Sequence, residues 1–223
     1  MANSSLEKLR IGGPIGRTAW VLILSVVTVF VLYTAERALS GAIDSSDFPE
    51  ALAVKVELLP VTFPVHMVTG ALALILVPLT LVLRPRRQWH RWVGRITAVD
   101  VLIAGVTAFP VAWVAPVTTL SALGFSAQAV TWLTLLGLGI YNIRNGRIAA
   151  HRACMLLMLA ATSGAVFFRI WLALWALYGT SRYYETFYAF DSWFAWAAPV
   201  GLTALWLSRQ PGGLRLAFPL RPA

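Results

Sequence analysis

The sequence predicts an all-α, polytopic transmembrane helix bundle of six helices with both termini cytoplasmic. Three observations carry the prediction: an apolar composition, six apolar runs long enough to cross a bilayer, and the sorting of charge between them. Hydrophobic residues make up 59% of the 223-residue chain and charged residues 12%, at a mean hydropathy of +0.74, which lies outside the range of soluble domains. A formal net charge of +9 on a soluble surface would suggest nucleic acid. In a chain this apolar the arginines serve orientation in the bilayer instead, so the partner is the lipid bilayer and no nucleic acid is expected.

Crossing a hydrocarbon core of about 30 Å takes roughly 20 helical residues. The runs that satisfy this are 18–35, 61–83, 96–115, 118–143, 153–178 and 187–207. The first follows Lys8, Arg10 and Arg17 in the manner of a secretory signal, but it exceeds an h-region and leaves through the charged boundary AERALSGAIDSS, so it reads as an uncleaved helix. The third and fourth are separated only by AWVAPVTTLSALG, where Pro116 and a few hydroxyls mark the turn; merged, they would be far too long for one span. Pro78, Pro110 and Pro199 are expected to kink their helices. Ala104 with Ala108, and Ala160 with Gly164, are spaced for close helix approach. Most tryptophans, among them Trp89, Trp92, Trp113, Trp132 and Trp193, fall near the expected boundaries, at headgroup level. The domain plan is a cytoplasmic segment over 1–17, one transmembrane domain over 18–207 and a basic cytoplasmic tail over 208–223.

Short cytoplasmic loops retain Lys and Arg. Lys8, Arg10 and Arg17 precede the first run. Arg84, Arg86, Arg87, Arg91 and Arg95 lie in RPRRQWHRWVGR between the second and third. Arg144, Arg147 and Arg152 separate the fourth and fifth, and Arg209, Arg215 and Arg221 follow the sixth. The acids Glu36, Asp44, Asp47, Glu50, Glu57, Glu185 and Asp191 fall on the other side. This places both termini on the cytoplasmic side of a bacterial inner membrane and makes RPRRQWHRWVGR a topology signal.

Polar residues inside the spans are the candidates for function, because a bilayer penalises them. At 1.5 Å per residue, Arg169 sits roughly 14 Å below the outer boundary and His66 about 9 Å deep in the second run, so the two are expected to share an outward pocket with Glu57, Asp191 or Tyr188 at its rim. Toward the inside, Asp100 needs a cation from Arg95, His90, His151 or Arg152. Arg95, Asp100, Arg152, His66 and Arg169 are therefore expected as buried polar groups. His90, on the loop before the third helix, and His151, opening the fifth, are at one level and suit the axial ligation of a b-type haem or a joint metal site. A stripe of His151, Cys154, Met155 and Met158 offers imidazole, thiol and thioether to Cu(I), against the plainer reading of Cys and Met as apolar fillers. The single cysteine excludes an intramolecular disulfide.

With His66, His90-Arg91-Trp92-Val93-Gly94-Arg95, His151-Arg152 and Arg169 set side by side, residues 60–175 resemble a family of bacterial membrane proteins, domain of unknown function 2306. The resemblance implies a polytopic helical membrane protein and supplies no catalytic residue, cofactor or substrate. Three functions remain: an uncharacterised accessory or assembly protein, alone or as a homo-oligomer or membrane-complex subunit; a haem redox protein using His90 and His151; and a small-molecule or proton transport or sensing bundle around Arg169 and His66.

Overall fold

The computed structural model describes residues 50–210, with isolated helical positions at Ser25, Val29, Leu32, Tyr33, Glu36 and Ser40 before them. The expected first span over 18–35 and the segments over 1–17 and 211–223 therefore lie, apart from those positions, outside the described residues. The described chain forms helices α1 (Glu50–Leu58), α2 (Thr62–Val82), α3 (Arg87–Trp113), α4 (Thr119–Arg144), α5 (Ile148–Tyr178) and α6 (Tyr184–Ser208), with a 3-10 turn at Ser181–Tyr183. No strand occurs among the described residues. By length and composition α2, α3, α4 and α5 can each cross a membrane. The 25-residue α6 matches them in length and carries more aromatic rings.

The second to sixth apolar runs are each a helix, but helix and span differ at three places. α3 begins at Arg87 and α5 at Ile148, so Arg87, Arg91, Arg95 and Arg152 sit on helical extensions of the spans, while Arg84, Arg86 and Arg147 stay in the connections. Hydropathy marks where a helix is in lipid, whereas Arg and Gln are good helix formers that continue it into water. His90 is accordingly a residue of the first turn of α3, not of the preceding loop. The third difference is α1, which occupies a segment expected to be loop. Its sequence EALAVKVEL is rich in helix formers, yet nine residues are too few to span a bilayer.

The break between α3 and α4 is built from Ala115, at a left-handed φ of 43°, followed by Pro116 and a capping box. In the box the Ser121 amide donates to Thr118 Oγ1 at 3.0 Å and the Thr118 amide to Ser121 Oγ at 3.2 Å, which satisfies two orphan donors reciprocally. Between α4 and α5 the turn is made by Gly146, whose φ of 71° suits a residue without Cβ.

From α2 onward successive helices run up and down and pack on one another, and α2 also meets α5 while α4 meets α6. The apolar centre joins Val77 of α2, Val101 of α3, Leu135 and Leu136 of α4, and Leu157 and Met158 of α5. Close approach depends on small residues. A Cβ on Gly164 would lie 2.9 Å from the Cα of Trp196, so α5 and α6 touch backbone to backbone there. Pro78, Pro110 and Pro199 lie inside α2, α3 and α6, which continue through them.

Candidate functional site: a cavity at one end of the bundle

The up-and-down course puts the connections α1–α2, α3–α4 and α5–α6, with Arg182 in the last, at one end and the arginine-rich connections at the other. A cavity of about 560 Å³ opens into the first end. It runs from Lys55 on α1 and Pro116 in the α3–α4 turn down to Trp132 and Thr162 in mid-bundle. Such a volume falls in the range of small-molecule sites.

The polar side chains of its wall come from every helix except α3. On α2, His66 Nδ1 is 3.0 Å from the carbonyl of Ala104 and 3.3 Å from Thr107 Oγ1, both on α3. A carbonyl only accepts, so Nδ1 carries the proton and donates, and Nε2 has no hydrogen-bond partner among the described residues. On α5, Arg169 donates from Nη1 to the carbonyl of Ala165 at 2.9 Å, one turn back on its own helix. Arg169 is exposed, and the cavity is one of the spaces it faces, since it forms part of the wall. It lies close enough to both His66 and Tyr188 for their charges to interact. Lys55 donates to the carbonyls of Val111, at 2.8 Å, and Val114, at the end of α3.

Around these groups the wall is aromatic. Phe125, Phe168 and Tyr188 form an edge-to-face triangle linking α4, α5 and α6, with centroids 5.2 to 6.1 Å apart. Tyr184 extends it. Deeper in, Trp132 donates to Thr162 Oγ1 at 2.9 Å and Gln128 to the carbonyl of Ala161 at 2.9 Å. Trp132 is thus an interior residue rather than one at headgroup level. Its indole N–H needed a partner, and α5 supplies one.

The structure brings His66, Arg169 and Tyr188 together. It does not bring Asp191 or Glu57 into the same wall. Asp191 is buried behind it, and neither of its carboxylate oxygens has a hydrogen-bond partner. Lys55, Gln128 and Trp132 were not among the sequence candidates. Lys55 had a readable signal, as one of two lysines and a cation among the acids of its loop.

At the opposite end the expected cluster comes apart. Asp100 is buried and its Oδ2 has no partner. Arg95 is exposed, its guanidinium 5.4 Å from the Trp92 ring, and Arg152 is exposed as well. Arginine stems are long enough to carry their charge outward, so neither needs to follow Asp100 inward. His90 donates from Nδ1 to the carbonyl of Thr80 at 2.8 Å, and His151 from Nδ1 to that of Gly139 at 2.9 Å. The two imidazoles are near enough to interact electrostatically. Of the stripe below His151, Cys154 receives a long contact from Asn142 Nδ2, at 3.8 Å, and Met158 belongs to the core. No group of three or more His, Cys, Asp or Glu suited to a metal occurs among the described residues.

A family model described as a predicted membrane protein, DUF2306, matches residues 63–207, well over half of the chain. No curated protein and no solved structure matches it.

Proposed function

From the premise that the chain belongs to the family of predicted membrane proteins termed domain of unknown function 2306, we propose that it binds a small organic anion in its cavity, for transport or sensing. The observation that carries this reading is the meeting of Arg169, His66 and Lys55 with an aromatic wall in one cavity of about 560 Å³. Intramembrane cations that line a cavity mark substrate paths more often than they serve packing. A carboxylate would accept from the Arg169 guanidinium, and an apolar body would lie against Phe125, Phe168 and Tyr188. The orphan Nε2 of His66 is the group available to a polar substituent. The sorting of basic residues supports a multi-pass protein of the bacterial inner membrane with its arginine-rich end cytoplasmic, so the cavity opens outward. The six spans expected from the sequence are few for an independent transporter, which favours a homo-oligomer or a larger membrane complex.

The test is ligand-induced stabilisation in lipid nanodiscs, using benzoate and phenylacetate against benzamide and phenylacetamide. The acids should raise the melting temperature of the wild type and not of Arg169→Gln, and the amides should raise neither. Equal shifts with acids and amides, or equal shifts in the variant, would leave the accessory role as the better description.

The histidines at the other end support a second reading, a b-type haem held by His90 and His151. Each fixes its ring through Nδ1 on a neighbouring helix carbonyl and keeps Nε2 without a protein partner among the described residues, which is the arrangement second-shell hydrogen bonding gives a metal-ligating imidazole. An optical spectrum of the purified protein, with His151→Ala as the comparison, tests it.

A further inference from the structure

Along α3 the exposed side chains change character on a single face. Arg87, Arg91 and Arg95 stand at i, i+4 and i+8, with Gln88 and Trp92 beside them, and together they line a cleft. Toward the middle of the helix the same face continues as Val99, Leu102 and Val106, with Ile96 and Ile103 alongside, all exposed. At 1.5 Å per residue the three guanidinium stems span about 12 Å of helix, and the apolar strip below runs on for about another 16 Å.

Charge complementarity narrows what this face meets. None of the three arginines makes an ion pair among the described residues, and the Arg95 guanidinium lies over the Trp92 ring. The first turn of α3 holds no acidic residue, and no side chain caps it. An occupant must therefore carry negative charge at the arginine end and be apolar over the rest of its length. A free phosphate meets the first condition only, and an acidic soluble partner likewise has no use for Val99, Leu102 and Val106.

We propose that this face of α3 is a binding site for an anionic phospholipid. Its phosphate is held in the cleft by Arg87, Arg91 and Arg95 beside Trp92, and one acyl chain follows the strip from Ile96 to Val106. Guanidinium groups suit this task because their planar forks pair bidentately with phosphate oxygens. The site does not depend on the anion cavity, which lies at the other end of the bundle.

Lipid retention on the purified full-length protein tests the proposal. The protein is exchanged into phosphatidylcholine nanodiscs containing a minor fraction of phosphatidylglycerol, and bound lipid is counted by native mass spectrometry. The double variant Arg91→Gln/Arg95→Gln is compared with Arg84→Gln/Arg86→Gln, which removes the same charge from the same end but outside the cleft. Basic residues near a membrane surface contribute about 1 kcal/mol each, so the cleft variant should lose phosphatidylglycerol affinity by roughly tenfold or more and the control should change by less than threefold. An equal loss in both variants would mean diffuse attraction without a site and would overturn the proposal, as would no loss in either. Displacement of the lipid by millimolar inorganic phosphate would assign the cleft to a free anion instead. The substituted side chains are exposed, and unchanged melting of both variants verifies that retention, not folding, is being read.

Discussion

His66 on α2 and Ala104 on α3 are joined by a 3.0 Å hydrogen bond from imidazole Nδ1 to the backbone carbonyl, so a polar side chain on the cavity wall also ties two spans together. Thr107 Oγ1, 3.3 Å from the same nitrogen, adds to the tie. Hydrogen bonds between helices in bilayers contribute on the order of 0.6 to 2 kcal/mol. His66→Phe should lower unfolding free energy by about that amount, and His66→Gln, which still donates, should recover part of it. Equilibrium unfolding in mixed micelles reads this directly. Full stability in His66→Phe would mean that the bond adds nothing net to folding.

Two glycines in the cavity wall should respond in opposite ways. A Cβ on Gly70 meets nothing within 4 Å, whereas one on Gly164 meets Gln128 Nε2 and the Cα of Trp196 at 2.9 Å each. Gly70→Leu should therefore fold as well as the wild type, fill the cavity and abolish anion-induced stabilisation. Gly164→Ala should force α5 from α6 and cost roughly 1–3 kcal/mol, the usual penalty of overpacking. Retained ligand response in a folded Gly70→Leu protein would remove the cavity from consideration as the binding site.

Asp191 is 1% exposed with both carboxylate oxygens unpartnered, and Asp100 has one such oxygen. Burying a carboxylate without donors costs free energy, so these positions do not contribute stability as ions. Asp191→Asn and Asp100→Asn should each leave melting unchanged or raise it by a few degrees. A large loss from either would reveal that its carboxylate is part of an ion pair with a cation that comes close in solution.

Orientation follows from which connections carry most of the arginines. Reporter fusions after Gln88 and Arg147 should signal from the cytoplasm, and fusions after Glu50 and Ser181 from outside. The structure groups these pairs at opposite ends of the bundle. A cytoplasmic signal after Glu50 would invert the assignment and turn the cavity inward.

The spans were readable because lipid imposes an apolar run of fixed length. The limits of α2, at Thr62–Val82, and of α4, at Thr119–Arg144, fall within a residue of the hydropathy runs. The helical extension carrying Arg87 to Arg95 was not readable by that measure, since water tolerates helix and loop alike. That His66 and Arg169 lie at a similar depth, where they line one cavity, was accessible from the helix rise alone. The separation of Arg95 from Asp100 was not, because depth gives a level along the bundle and says nothing about which face of a helix a side chain occupies. Lys55 was hidden for a further reason: it acts from a short helix outside the spans, on carbonyls that only the fold of the α3–α4 turn brings to it.

Lys55 gives the cavity a pH dependence. Its ammonium donates to the carbonyls of Val111 and Val114 at the C-terminus of α3, where a cation also meets the negative end of the helix dipole. Burial nevertheless holds its pKa below the ordinary 10.5, because the charged form loses solvent there. With the folded value depressed, the lysine's contribution to stability is fully present above 10.5 and is lost as pH falls through the folded value. Anion binding runs the other way, since only the protonated amine attracts the ligand. Affinity for benzoate should decline as pH rises, beginning before 10.5 is reached. Lys55→Met should bind more weakly at neutral pH and lose this part of the decline, whereas Lys55→Arg should hold its affinity across the range. An identical pH profile in Lys55→Met and the wild type would assign the decline to the tyrosines of the wall and leave Lys55 with a helix-capping role alone.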